Sequence, residues 1–260
     1  MLWKFFCLRM KNLSRKKVGM FYKLAFYLCF LAVLQSLFAC GGGGGEGDGD
    51  GGGAPNGGGG KDAAIGARIL HGSLSAPPVE LYSSLKSGPL GKGLFGGNAP
   101  HFGLASAPQV LSLAITRDAN AVFASHTVDL SVQPRISLLI FGNSKVGGTQ
   151  TAVFENISKI AVPQGSDQAS LSGIRVVHAA FGAARITLQV AGAEQSLGAS
   201  YGGVSEYLLV PSGATTITAF RASDRFKIGE RLVELAPARN HTVLVGGEVD
   251  FFSFVKMYPD

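Results

Sequence analysis

Beyond Asp62 the chain is written in short apolar runs of four to eight residues, rich in Val, Ile, Thr and Phe, separated by Gly, Pro, Ser and Asn. No stretch keeps helical spacing over three turns, so the pattern predicts an all-β chain. In the last third it predicts strands near 173–179, 184–191, 205–210, 214–221, 230–236, 240–246 and 250–257. Seven short strands in about 90 residues, with a turn at Pro211-Ser212-Gly213, predict an immunoglobulin-like two-sheet sandwich. Alternation puts Ile174, Val176 and His178 on one face of the opening strand, and Ile217 with Ala219 on one face of a later one.

The same pattern occurs twice. "ARILHGSLSAPPVELY" from Ala67 aligns with "IRVVHAAFGAARITLQV" from Ile174, pairing His71 with His178. "VDLSVQPRISLLIFGN" from Val128 aligns with "VELAPARNHTVLVGGE" from Val233, and both matches fall at an offset of about 105 residues. Two matches in one order at one spacing indicate a tandem duplication. The expected layout is a leader over 1–39, a segment of different composition over 40–62, one sandwich over 63–158, a linker over 159–171 and a second sandwich over 172–260.

Composition changes sharply at Cys40. All 17 acidic residues lie after it, whereas seven of the 23 Lys and Arg lie before it, leaving 16 basic residues for the remainder. The basic excess therefore belongs to the leader, and nucleic-acid binding is not expected. Leu24 to Ala39 is an apolar run of 16 residues behind a basic stretch, shorter than the roughly 20 needed to span a bilayer. It reads as a secretory signal. Starting at Met20 would leave a signal of the usual length. Its ending, Leu37-Phe38-Ala39-Cys40, resembles the lipobox of bacterial lipoproteins, which implies a fatty acyl chain such as palmitate on Cys40. Gly41 to Gly60 holds 14 glycines with Glu46, Asp48 and Asp50. It offers nothing to offset the entropy of ordering, so a disordered tether reaching roughly 25 Å is expected. No cysteine follows Cys40, which excludes disulfides and cysteine-based zinc sites from the folded part.

The second copy also resembles a known family. Arg175-Val176-Val177-His178-Ala179, "YGGVSEYLLVPSG" from Tyr201 and "HTVLVGG" from His241 are similar to the bacterial domain of unknown function 4397. The first copy keeps that family's Ser/Pro-rich turn as Ser73, Ser75, Ala76, Pro77 and Pro78, but has "HFGLASAP" where the family has Tyr-x-x-Val-Pro. The resemblance implies a sandwich in an extracytoplasmic setting and carries no known active site.

Signatures of catalysis fail one by one. Ser83-Ser84-Leu85-Lys86 lacks its companion motifs. "GPLGKGLF" from Gly88 has Gly93 where a phosphate loop needs Ser or Thr. The five histidines form no i, i+4 pair. No catalytic residue, metal ligand or cofactor site is assigned. His71 and His178 are expected to tie each opening strand to a nearby turn, since a buried imidazole needs hydrogen-bond partners. The long segment from Lys86 to Phe102 is a candidate binding loop through Leu90, Leu94, Phe95 and Phe102. "DFFSFVKMY" alternates apolar residues on both faces, and so requires either the other domain or a partner to cover it. The sequence thus leads to a monomeric bacterial lipoprotein, outer-membrane-anchored and facing the periplasm or cell surface. It would act as a non-enzymatic binding or structural module toward an envelope protein or glycan. The competing reading is an envelope hydrolase with its site between the two domains.

Overall fold

The computed structural model describes residues 65–116, 121–157, 167 and 170–260. The leader over 1–39, Cys40 and the tether over 40–62 lie outside the described residues, as does most of the linker over 159–171. All sixteen elements are strands, and the described residues fall in one compact unit, Gly57–Asp260.

The first repeat runs β1 (Gly66–His71), β2 (Val79–Ser83), β3 (Gly91–Gly93), β4 (Phe102–Gly103), β5 (Pro108–Ile115), β6 (Val122–Asp129), β7 (Arg135–Asn143) and β8 (Gly148–Glu155). The second runs β9 (Leu171–Phe181), β10 (Arg185–Val190), β11 (Ser196–Ser200), β12 (Leu208–Pro211), β13 (Gly213–Arg221), β14 (Lys227–Leu235), β15 (Asn240–Glu248) and β16 (Phe252–Pro259). Sheet orders are β4-β1-β7-β8 and β3-β2-β5-β6 in the first repeat, β12-β9-β15-β16 and β11-β10-β13-β14 in the second. The topology is the same in both copies, down to the irregularity after Leu113 and after Ala219. Gly142 and Gly247 also correspond, with φ of 103° and 96°. A side chain at either would run into the carbonyl of Gly148 or Phe252 across the closing hairpin, which restricts both positions to glycine.

Each repeat has eight strands rather than the seven expected. The missed strand in the second copy, "SLGAS", is poor in β-branched and aromatic residues, and its pairing with β10 holds it extended. The strand expected over 205–210 is confined to Leu208–Pro211, because upstream of it Ser205 Oγ takes the Val176 N–H at 3.0 Å in place of a ladder bond.

Alternation explains the layering. On β9, Ile174 and Val176 point into their own sandwich, together with Ile186, Leu188 and Val243. The intervening Val177 and Ala179 point the other way, where with Leu244 and Tyr258 they meet Leu70, Leu139 and Phe141 of the first repeat. The inner sheets of the two sandwiches therefore pack face to face, giving four sheets in a stack. Strands β1 and β7 and nearly all of β9 and β15 are buried along their length, as continuous apolar runs covered on both faces must be. At the centre of the seam Gly72 lies against Ala179; its N–H donates to the Ile140 carbonyl at 2.8 Å, while its carbonyl accepts the Gly247 N–H of the second repeat at 2.8 Å.

Candidate functional site

The two histidines sit at matching ends of β1 and β9. His71 Nε2 lies 3.0 Å from the Pro77 carbonyl, and His178 Nε2 lies 2.8 Å from that of Ala183. A carbonyl can only accept, so both rings carry their proton on Nε2. His178 Nδ1 in turn accepts the Ala180 N–H at 3.2 Å. Burial holds His71 below its ordinary value and His178 at about 4. Each neutral imidazole closes the loop leading to the next strand, and each meets an aromatic ring edge-on: Phe95 for His71, Tyr201 for His178.

That last contact exposes a correspondence not evident in the sequence. Phe95-Gly96-Gly97 stands in the first repeat where Tyr201-Gly202-Gly203 stands in the second. The Gly96 N–H donates to the His71 carbonyl and the Gly202 N–H to that of His178, and both glycines have positive φ, 59° and 75°. His101 accordingly occupies the place of Tyr207. Residues 172–257 match the family model of the Domain of unknown function (DUF4397). The first copy lies outside that matched span and shares the strand order and turn geometry of the second. Among solved structures the chain is similar to CBMbc (family CBM26) from Eubacterium rectale Amy13K, in complex with maltoheptaose, at 14% identity over 74% of this chain and 96% of that one, with a TM-score of 0.24. So loose an overlay transfers neither detail of fold nor ligand. No curated protein matches the sequence.

Where the DUF4397 repeat meets its partner copy, the apolar seam ends in a polar cluster built with two-fold likeness. Arg68 donates through Nε to Ser137 Oγ at 2.8 Å, through Nη1 to the Pro259 carbonyl at 2.7 Å, and through Nη2 to Asp260. Arg175 donates through Nε to Thr242 Oγ1 at 2.9 Å, through Nη1 to the Glu155 carbonyl at 2.7 Å, and through Nη2 to Asn156. Each arginine thus starts on the opening strand of one repeat and grips the end of the closing strand of the other. The Tyr207 hydroxyl donates to Asp260 Oδ2 at 2.6 Å, and Asn156 Nδ2 lies 3.2 Å from His101 Nε2. Burial, then the charges of Arg68 and Arg135, push His101 down to about 3. Burial first and then the Asp260 charge push the Tyr207 phenol well above its ordinary range. The cluster is sealed from solvent, with the Arg68 and Asp260 side chains 1% and 0% exposed. It binds the repeats to one another and offers no entry to a substrate.

The open site is a cleft beside the seam. Its walls are Phe95, Gly96 and Asn98 from the first repeat and Arg231, Phe252, Phe254, Val255 and Lys256 from the second, around about 450 Å³. It joins the long loop to the C-terminal strand, the two segments whose sequence asked for a partner. Phe95 packs edge-on against Phe254 at 5.1 Å and tilted against Phe252 at 6.0 Å. Lys256 Nζ donates to the Gly96 carbonyl at 2.8 Å and to Asn98 Oδ1 at 3.2 Å. Burial, then the charge of Arg231, hold its ammonium below the ordinary lysine range.

The other loop residues do different work. Leu90 and Phe102 pack against the core of the first sandwich, Phe102 filling the space over Gly91, and Leu94 is exposed. Of the C-terminal strand, Val255 and Met257 join the core of its own sandwich, while Phe254 and Tyr258 join the seam. Among the described residues no group of three or more His, Cys, Asp or Glu is placed to hold a metal ion. His71 and His178 make their hydrogen bonds to loop and strand backbone, not to the seam carboxylate of Asp260.

Proposed function

We propose that this chain is a bacterial envelope lipoprotein, and that its paired sandwiches form a non-enzymatic binding module. It would be attached through acyl chains on Cys40 and a glycine-rich tether to the outer membrane, facing the periplasm or the cell surface. The observation that supports a binding role is the cleft of Phe95, Phe252, Phe254, Arg231 and Lys256. Its aromatic faces and cationic heads suit recognition. It contains no nucleophile beside a base and no pair of carboxylates. The sharing of the cleft between repeats also gives the duplication a purpose, since neither sandwich alone makes both walls.

The test is capture from envelope extract by the full-length chain in detergent, with Phe252→Ala as control. A protein or polysaccharide retained by the native chain and lost by the variant is expected. Release of cleaved fragments from captured glycan would instead establish the hydrolase reading. The anchor is tested separately by labelling cells with a fatty-acid analogue: label on the native chain and none on Cys40→Ser is the expected result.

A further inference from the structure

We infer that the seam cleft binds an acidic saccharide, with a sugar ring on the Phe95, Phe252 and Phe254 rings and its carboxylate toward Arg231 and Lys256. The inference rests on the binding reading above and names its ligand class.

Charge sets the first requirement. Arg231 and Lys256 both line the cleft, and no carboxylate is among the lining residues. Lys256 is satisfied by a carbonyl and an amide oxygen, neither of them charged. Arg231 is exposed and makes no ion pair among the described residues. Two neighbouring cations without a counter-charge favour an anionic ligand, and a guanidinium matches a carboxylate in a bidentate way. Shape sets the second. The cleft volume of about 450 Å³ suits one or two sugar rings. Phe252 is 51% exposed, leaving ring surface for the C–H face of a pyranose. Asn98, also exposed, supplies a hydrogen-bonding amide at the rim.

The duplication provides an internal control. Strand registers place Gly148, Gln150 and Ala152 of the first repeat where the second has Phe252, Phe254 and Lys256, and His126 where it has Arg231. His126 is moreover engaged by Thr151 Oγ1 at 2.9 Å. The opposite seam keeps a ring at Tyr201, the counterpart of Phe95, but lacks those of Phe252 and Phe254 and both cations, although its strand order is the same. Phe254, Phe95 and Lys256 also help to close the seam, whereas Phe252 and Arg231 are exposed and differ from their counterparts without serving that packing.

The experiment is titration calorimetry of the full-length chain in detergent with trigalacturonate, triglucuronate, the neutral galactotriose and a hexaglutamate peptide. At least one acidic sugar is expected to bind about tenfold or more tightly than galactotriose, with affinity falling as salt rises. Arg231→Gln and Phe252→Ala should each weaken it by about tenfold or more, while Gln150→Ala on the opposite seam leaves it unchanged. Both cleft positions are exposed, and an unchanged melting temperature verifies folding; if either variant unfolds, the acidic-to-neutral comparison and salt dependence still decide. Equal binding of galactotriose, tighter binding of hexaglutamate, indifference to both substitutions, or no binding of either acidic sugar overturns the inference. Partners captured from envelope extract in spite of such a result would leave the general binding role standing with a different ligand.

Discussion

Asn156 and Asp260 occupy the same position in the two repeats, one residue past the closing strand, and both accept from Arg68, yet only Asp260 brings a charge. A single carboxylate therefore faces two buried guanidiniums, aided by the carbonyls of Glu155 and Pro259 and by aromatic faces. Arg175 lies 4.6 Å from the Tyr207 ring centre and 4.9 Å from that of Phe154. Such a cluster adds less net stability than its contacts suggest, but removing one member leaves a buried charge unpaired.

Asp260→Asn should accordingly destabilise the protein by about 3–5 kcal/mol, read as a lower urea midpoint. Adding Asn156→Asp to that variant returns a carboxylate to the pseudo-equivalent site, beside the same arginines. A large part of the loss should be recovered. A double variant no more stable than Asp260→Asn would show that the two positions are not interchangeable.

Acid should loosen the protein before its exposed carboxylates titrate. His178 and His101 have folded values of about 4 and about 3, below the ordinary 6.5. The unfolded chain therefore binds more protons than the folded one within that interval. Their contribution is complete above pH 6.5, declines as pH falls from there, and is gone below about 4 for His178 and about 3 for His101. The slope approaches about 1.4 kcal/mol per pH unit per histidine. Urea unfolding at a series of pH values checks this, and His101→Gln should flatten the acid limb.

Gly72→Ala probes the seam at its closest point. The added methyl would collide with the Ala179 methyl, and Leu244 and the Ile140 carbonyl close off the other sides. Overpacking of this kind costs about 1–3 kcal/mol. Thermal denaturation should show a lower midpoint, with a larger drop for Gly72→Val.

Residues 170–260 produced alone would expose Val177, Ala179, Leu244 and Tyr258, all buried at the seam, together with Arg175. Sedimentation should show self-association or aggregation, since an apolar sheet face seeks cover. A stable, monodisperse monomer would mean that the seam is dispensable.

Much of the fold was legible along the chain. The spacing of His71 and His178, repeated by the aligned runs from Val128 and Val233, reflects strand topology that local pattern records faithfully, because β alternation is written residue by residue. A sign of the seam was also there: Arg68 and Arg175 interrupt apolar strands at matching places, and an arginine inside a run covered on both faces must have a buried partner. What identified that partner was not local. Asp260 lies 192 residues from Arg68 in sequence, and nothing at a strand end announces whose charge it will meet. Likewise the equivalence of Phe95 and Tyr201 is not written in the local pattern, since the short strands of small residues before them carry weak propensity and only the ladder with a neighbour fixes their register.

By itself, then, the amino-acid order determined the strand content, the duplication, and the lack of any cysteine or metal-ligand spacing in the folded part, since these depend on residue type and period. Only tertiary structure decided that the two sandwiches share a buried face, that the arginines cross it, and that one of two equivalent seams carries an aromatic, cationic cleft. Those features come from side chains distant in sequence being brought together when two sheets, each apolar on both faces, bury against one another.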